Sequence, residues 1–334
     1  NRKLFNEQRG LSNNNREIKN LEIVAVYPRI YSPISHTQGE IIMSLTTMSK
    51  PKQAVDTEVQ KELQYQQWKK MTTKARKEQL ERKHSFMVLS IEGKAKQGKS
   101  GLGLDIRTKK EIEDGHIIRF LDFDDGAEVT WKSCWDSDPN IFVYCPNHYN
   151  TDGTENYALT MQNAINFVRE TEELIADDKT NVRAIVTDGM DKWNDCVTNK
   201  LRFERVKGDR KKMREPIPPT AYGARNIDHN ELFISVLKLQ CDKVFITHLK
   251  PTFGDHMNPT PTGFVASWNK DVPDKMMQMI SIRDESVGNN TKYVARLKAS
   301  KTNPHIVGKT WTIFESNSKE AKWLGIPEMQ KREI

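Results

Sequence analysis

Several features are scarce in this sequence, and each scarcity excludes a class of protein. No hydrophobic run approaches the ~20 residues that a membrane-spanning helix needs. A signal-peptide pattern of basic head, apolar stretch and small cleavage residues is also missing. The 4 cysteines contain no C-x-x-C pair, so reduced intracellular thiols are expected. The sequence therefore predicts no membrane association and a cytoplasmic location, which is the host cytoplasm if the chain is viral.

The cysteines offer only a weak case for a metal site. Cys134, Cys145 and His148 are close in sequence, but a fourth ligand with the spacing of a structural zinc site is missing. Zinc is therefore disfavoured.

The composition is that of a globular protein with much solvated surface. Of the 334 residues, 36% are hydrophobic and 29% are charged. The 52 basic and 45 acidic residues give a net charge of +7. This excess suits a polyanionic partner or a solvated basic face, and composition alone leaves both open.

Four segments can be distinguished along the chain. Residues 1–42 are a polar extension predicted to be disordered, and residues 43–84 are a charged helical lead-in without proline or glycine in their helical part, 55–83. The lead-in serves either as a solvated helix or as an oligomer-docking arm. Residues 85–316 form the predicted core, and residues 317–334 are a C-terminal tail.

The core alternates apolar strands with helices. Strands are predicted over 86–91, 116–122, 140–145, 182–188 and 243–248, with three more at 276–282, 292–297 and 309–314. Helices are predicted over 101–113, 157–177 and 227–239, with a basic, proline-rich insertion over 202–219 and a long loop over 250–268. This order predicts an α/β fold whose mostly parallel central sheet is flanked by helices. Ligands bind such sheets at the carboxyl ends of the strands.

A complete phosphate-binding motif, G-x-x-x-x-G-K-S, follows the first core strand. The predicted nucleotide-binding residues are Gly93, Lys94, Ala95, Lys96, Gln97, Gly98, Lys99, Ser100 and Gly101. Backbone N–H groups of such a turn surround the phosphates, Lys99 meets their charge, and the Ser100 hydroxyl is a ligand of Mg²⁺. The motif therefore predicts ATP and Mg²⁺ as cofactors, although GTP would satisfy it equally.

Carboxylates and a histidine end the neighbouring strands. Asp188 closes an apolar strand and is the predicted second Mg²⁺ ligand. Asp191 is the lesser choice, for which a capping role is favoured. Asp124 is the predicted base for the attacking water, with a capping turn as the competing interpretation. His248 is placed to sense the γ-phosphate.

The loop that follows His248 has features of a nucleic-acid contact. Lys250, Phe253, Phe264 and Trp268 supply one positive charge and three aromatic rings. Such side chains suit stacking on unpaired bases and contact with phosphates, and simple disorder is the competing interpretation.

The motifs taken together resemble a known family. In order, they are the P-loop, LDFDDG, IVTDG, YGARN, FITHLKP and YVARLKASKTNP. This series resembles the RecA-like phage nucleotide-binding family that includes single-strand annealing proteins, over residues 85–316. The resemblance implies a RecA-like P-loop ATPase that forms a homo-oligomeric ring or filament on single-stranded DNA and promotes annealing. A single-strand-binding protein is a further expected partner.

The resemblance also bears on individual residues. It implies that Lys298 and Lys301 reach the γ-phosphate held by a neighbouring subunit. Asp124 stands where the family usually has Glu, and this shorter side chain predicts slow hydrolysis. Packaging, helicase-type and loader ATPases share the same site chemistry and remain the alternatives, as does a scaffold gated by nucleotide.

Overall fold

A computed structural model describes residues 53–81, 86–177, 180–253, 261–269, 271–316 and 325–331. The predicted extension over 1–42 lies outside them. The chain divides into two compact units after Arg76, and helix α1 (Gln53–Glu81) is the described part of the first unit, continuing a few residues beyond it. This helix confirms the expected long, charged helix. Its apolar side chains at Val59, Leu63 and Met71 are exposed.

One mixed sheet organises the second unit. Its strands are β1 (Val88–Gly93), β2 (Ile117–Asp122), β3 (Ile141–Tyr144), β4 (Val182–Asp188), β5 (Asp242–Thr252), β6 (Gly263–Ala266), β7 (Gln278–Asp284), β8 (Lys292–Ser300) and β9 (Thr310–Glu315). The order across the sheet is β3-β2-β4-β5-β1-β7-β8-β9, and β6 pairs with β5. Neighbours from β3 to β7 are parallel, whereas β8 and β9 are antiparallel additions. The predicted α/β fold with a mostly parallel sheet is confirmed.

Helices cover both faces of the sheet. They are α2 (Lys99–Leu104), α3 (Lys109–Glu113), α4 (Ala127–Cys134), α5 (Tyr157–Ala176), α6 (Met190–Arg205), α7 (Tyr222–Lys238) and α8 (Ile326–Lys331). One apolar cluster joins Leu102 of α2 to Ile246 of β5. A second cluster joins Phe167 of α5 and Trp193 of α6 to Phe245 of β5. Because successive strand residues face opposite sides, the two clusters lie on opposite faces of the sheet.

The helix predicted over residues 101–113 is two helices. The α2 helix ends at Leu104, and the chain then buries Ile106 completely before α3 begins. Thr108 and Glu111 form a reciprocal capping box, in which each side chain accepts a hydrogen bond from the other's backbone N–H. This T-x-x-E pattern is a helix-start signal in the sequence, so a continuous helix was the wrong expectation.

Two other segments are more regular than predicted. The α6 helix was not anticipated, and it extends to Arg205, inside the segment expected to be a proline-rich insertion. The loop predicted over 250–268 is partly a β-hairpin, in which Pro251 of β5 pairs with Phe264 of β6. Residues 254–260 lie outside the described residues. We refer to β5 from Leu249 onward, together with β6, as the β5–β6 hairpin.

The core also extends beyond residue 316. Ile326 and Met329 of α8 are buried in the first apolar cluster. The backbone N–H of Ile326 donates to the carbonyl of Asp105. The part of the predicted tail that the structure describes is therefore packed against the sheet domain. Within the described ranges, no helix combines the length and apolar character needed to span a membrane.

Candidate functional site

The carboxyl ends of four parallel strands meet at one edge of the sheet. The β5 strand lies between β1 and β4, and β2 flanks β4. In register, Gly93 of β1 lies beside His248 of β5, and Asp188 of β4 lies beside Asp122 of β2. Because these strands are parallel, their carboxyl ends lie side by side, and register partners face the same side of the sheet. This edge therefore brings together the polar residues that were predicted to act together.

In the loop between β1 and α2, the glycines lie where the backbone conformation or a close contact favours glycine. Gly98 has a φ of 75°, in the left-handed region that favours glycine. A Cβ atom on Gly93 would lie 3.1 Å from the carbonyl oxygen of Ile282 on the neighbouring strand. The loop is braced by Gln97, whose side-chain oxygen accepts from the backbone N–H of Lys94 at 2.7 Å. The motif therefore folds into a compact turn.

Lys99 is buried at the centre of this turn. Its side chain is only 5% exposed, and Nζ donates to the carbonyl oxygen of Lys94 at 2.7 Å. Burial lowers the pKa of Lys99, and the nearby carboxylates of Asp188, Asp124 and Asp191 oppose that shift. An ammonium group buried at the centre of a glycine-rich turn can supply positive charge to a bound polyanion.

The two predicted metal ligands are in contact. Ser100 Oγ donates to Asp188 Oδ2 at 2.5 Å, although the residues are 88 positions apart. Asp188 is 2% exposed, and burial raises its pKa to about 7 despite the hydrogen bond from Ser100. A hydroxyl oxygen and a carboxylate oxygen are the hard ligands that Mg²⁺ prefers. The residues present therefore fit a Mg²⁺ ion that accompanies a triphosphate.

The acidic turn after β2 contains two carboxylates with different contacts. Asp122 accepts hydrogen bonds from the backbone N–H groups of Ala127 at 2.7 Å and Asp124 at 3.1 Å, so it caps the turn into α4. The Asp124 side chain instead lines the cleft, with Oδ2 at 3.5 Å from His248 Nδ1. The capping hydrogen bonds of this turn thus fall on Asp122, and the Asp124 carboxylate is left facing the cleft.

His248 lies between two aspartates. Its Nδ1 is 3.2 Å from Asp191 Oδ1, which also accepts from the His248 backbone N–H at 3.3 Å. The hydrogen bond to Asp191 raises the pKa of His248. Burial favours a higher pKa for both aspartates; it prevails at Asp124, whereas at Asp191 the hydrogen bond from His248 lowers the pKa. Asp191, for which capping was favoured, therefore orients the histidine.

The same three residues are close enough together to hold a metal ion. Ligand atoms of Asp124, Asp191 and His248 all lie within 4.8 Å of one another. Among the described residues, Cys134, Cys145 and His148 do not form such a group.

The phosphate turn and the carboxylates and histidine around it line a cleft of about 810 Å³. Ligand pockets commonly measure ~300–1,000 Å³. The turn over Ala95–Gly101 forms one wall, with Asp124, Asp188 and His248 around it. Farther from the turn, the cleft is lined by side chains that sequence reasoning missed: Val129, Thr130, Ser133 and Cys134 on α4, Lys192 on α6 and Tyr293 on β8. The cleft therefore extends beyond the phosphate turn and has room for the rest of a nucleotide.

The two lysines expected to reach a neighbouring subunit have partners within the chain. Lys298 forms an ion pair with Glu92, whose carboxylate is 2% exposed at the end of β1. Lys301 Nζ donates to the carbonyl oxygen of Asp274 at 2.5 Å. Glu92 was missed in the sequence, where a single acidic residue between Ile91 and Gly93 gave no periodic signal.

The four predicted nucleic-acid contacts differ in their surroundings. Lys250 forms a 3.8 Å surface ion pair with Asp195. The Phe253 and Phe264 side chains are 52% and 48% exposed. Trp268 is half-buried and packs against the second apolar cluster. Phe253 and Phe264 therefore remain the candidates for stacking on unpaired bases.

Comparison with known proteins does not assign the chain to a family. No family model matches it, and no curated protein matches its sequence significantly. The geometry of the cleft is therefore the main evidence on function.

Proposed function

We propose that this protein is a RecA-like P-loop ATPase that binds single-stranded DNA and promotes its annealing. The observation that carries the nucleotide part is the Ser100–Asp188 hydrogen bond beside buried Lys99, in a cleft of nucleotide size. These are the groups that hold a metal-bound triphosphate in P-loop proteins. The order of strands supports the proposal, because it places His248 between the phosphate turn and Asp188.

In this proposal, each residue has a distinct task. The N–H groups of the turn and the Lys99 ammonium bind the phosphates, while Ser100 and Asp188 would hold Mg²⁺, which would supply charge neutralisation. Asp124 accepts the proton of the attacking water. Burial raises the pKa of Asp124 and so makes it a stronger base than a solvated aspartate. His248, held by Asp191, donates toward the γ-phosphate and reports its presence to the β5–β6 hairpin.

Hydrolysis is expected to be slow. The Asp124 side chain is one methylene shorter than the glutamate usual in the resembled family, and its Oδ2 lies 3.5 Å from His248 Nδ1. Binding of ATP would order the hairpin, and hydrolysis would release the DNA. A nucleotide-gated scaffold is the limiting case of the same scheme, with turnover close to zero.

The DNA part of the proposal rests on the hairpin beside the cleft. Phe253 and Phe264 expose their aromatic rings, and Phe264 pairs with Pro251, the residue after Lys250. Stacking on such rings tolerates any base. A packaging, helicase-type or loader ATPase is the alternative, since it needs the same cleft.

One experiment tests both parts. ATP hydrolysis is measured without polymer, with single-stranded DNA and with duplex DNA, while particle size is followed by light scattering. Stimulation by single strands together with growth of the particles supports the annealing function. Stimulation by duplex alone would favour a packaging motor, and indifference to both polymers would favour a loader. Lys110→Ala, an exposed substitution on α3, serves as the control.

A further inference from the structure

A cation–aromatic contact joins the phosphate turn to the β5–β6 hairpin. Lys94 Nζ lies 4.0 Å from the centre of the Phe264 ring. Both side chains are otherwise exposed. A lysine at this distance from an aromatic face is attracted by the negative face of the ring.

Lys94 is also held through its backbone. Its N–H donates to the Gln97 side chain at 2.7 Å, and its carbonyl accepts from Lys99 Nζ at 2.7 Å. The backbone of Lys94 is thus bound to two residues of the phosphate turn, while its side chain is bound to the hairpin. A shift of Lys99 toward a bound phosphate would change the constraint on Lys94 directly.

The hairpin has a second connection to the cleft. The backbone N–H of Ser267 donates to the carbonyl of His248 at 3.0 Å. The β5 strand itself continues from His248 to Pro251, which pairs with Phe264. The hairpin is therefore attached on one side at His248, which lines the cleft, and on the other at Lys94, whose carbonyl accepts from Lys99 Nζ.

We infer that Phe264 is a positioning residue for the phosphate turn: it holds Lys94 so that the turn is preformed for nucleotide, and nucleotide binding in turn orders the hairpin. The inference rests on the proposed function only in requiring that the turn binds a nucleotide. It assigns Phe264 a task that does not depend on DNA. By linkage, an effect of the hairpin on nucleotide affinity implies an equal effect of nucleotide on the hairpin.

The test measures affinity for Mg²⁺–ATP by titration calorimetry without DNA. An exposed cation–π contact corresponds to about a two- to fivefold change in affinity, so Phe264→Leu is expected to weaken binding by that factor. Phe264→Tyr keeps the aromatic face and should restore wild-type affinity. Val265→Ala changes the next exposed residue of β6 and is the matched control.

A double-variant comparison assigns the effect to the contact. In a Lys94→Met background the ammonium is missing, so Phe264→Leu should have no further effect on affinity. If Phe264→Leu weakens binding equally in both backgrounds, or leaves it unchanged in the wild type, Phe264 does not position the turn and the inference is overturned.

Hydrogen exchange separates this inference from the proposed function. Without nucleotide, Lys94→Met should speed amide exchange across residues 263–266, whereas Lys96→Met on the same turn should not. Equal exchange in the two variants would overturn the contact even if ATP binds. If the wild type binds no ATP but Lys94→Met still speeds exchange, the contact stands, while the proposed function and the positioning role both fail.

Discussion

Asp188 allows a quantitative prediction, because its burial opposes ionisation and so makes the free energy of unfolding depend on pH. Its pKa is raised from 3.8 to about 7. A carboxyl group with a raised pKa in the folded protein contributes stability that is complete below its unfolded pKa and is lost as pH rises through the folded pKa. With ~1.36 kcal/mol for each pKa unit, the full loss is about 4 kcal/mol. About 2 kcal/mol of this loss falls between pH 5 and pH 7.

Asp188→Asn removes this titration and keeps the shape of the side chain. The amide oxygen still accepts the hydrogen bond of Ser100. The variant should therefore gain free energy of unfolding relative to the wild type as pH rises, by about 3 kcal/mol between pH 5 and pH 8. The measurement is urea unfolding followed by circular dichroism, with a chelator present to remove divalent ions.

Two controls sharpen this result. Asp195→Asn changes an exposed aspartate of α6 and should show the same small difference from wild type at both pH values. Adding Mg²⁺ at pH 8 should stabilise the wild type and not Asp188→Asn, because the ionised carboxylate is the ligand. A difference between Asp188→Asn and wild type that does not change with pH would refute the argument that Asp188 is held against its ionisation.

Three further variants test Asp124, His248 and the two exposed phenylalanines. Asp124→Asn should cut ATP turnover while nucleotide affinity is retained, and unchanged turnover in a steady-state assay would place the base elsewhere. Because Asp191 raises the pKa of His248, any function of the charged imidazole persists to higher pH than for a solvated histidine and declines as pH rises through the raised pKa. His248→Gln should remove this decline from the pH–rate profile. Replacing Phe253 and Phe264 together by alanine should weaken single-stranded DNA binding by ~1–3 kcal/mol for each stacked base, and unaltered DNA affinity in an anisotropy titration would make the hairpin a simple connector.

The parts of the site that are local in sequence were predictable. The phosphate turn is encoded in eight consecutive residues, with Gly98 in the left-handed region and Gly93 where a Cβ atom would lie 3.1 Å from a neighbouring carbonyl oxygen. Asp188 was predictable for a different reason, since it ends an apolar strand and parallel strands place their carboxyl ends at one edge. The contact of Ser100 with Asp188 follows from these two signals together.

Other contacts depend on the order of the strands, which no local pattern encodes. Glu92 and Lys298 are 206 positions apart and meet because β7 alone separates β1 from β8. Lys94 meets Phe264 because β5 is extended past His248 into a hairpin. Trp268 was predicted to be a stacking platform, but an aromatic residue in a loop carries no sign of whether it faces solvent or the core.

The central claim is that the turn over residues 93–100 binds a metal-bound nucleoside triphosphate. The most direct measurement is calorimetric titration of Mg²⁺–ATP into the wild type and Lys99→Ala, with circular dichroism to confirm that both are folded. The account predicts saturable binding by the wild type and loss of binding by Lys99→Ala. Equal affinity in the two proteins, or no binding by the folded wild type to ATP or GTP, would contradict it.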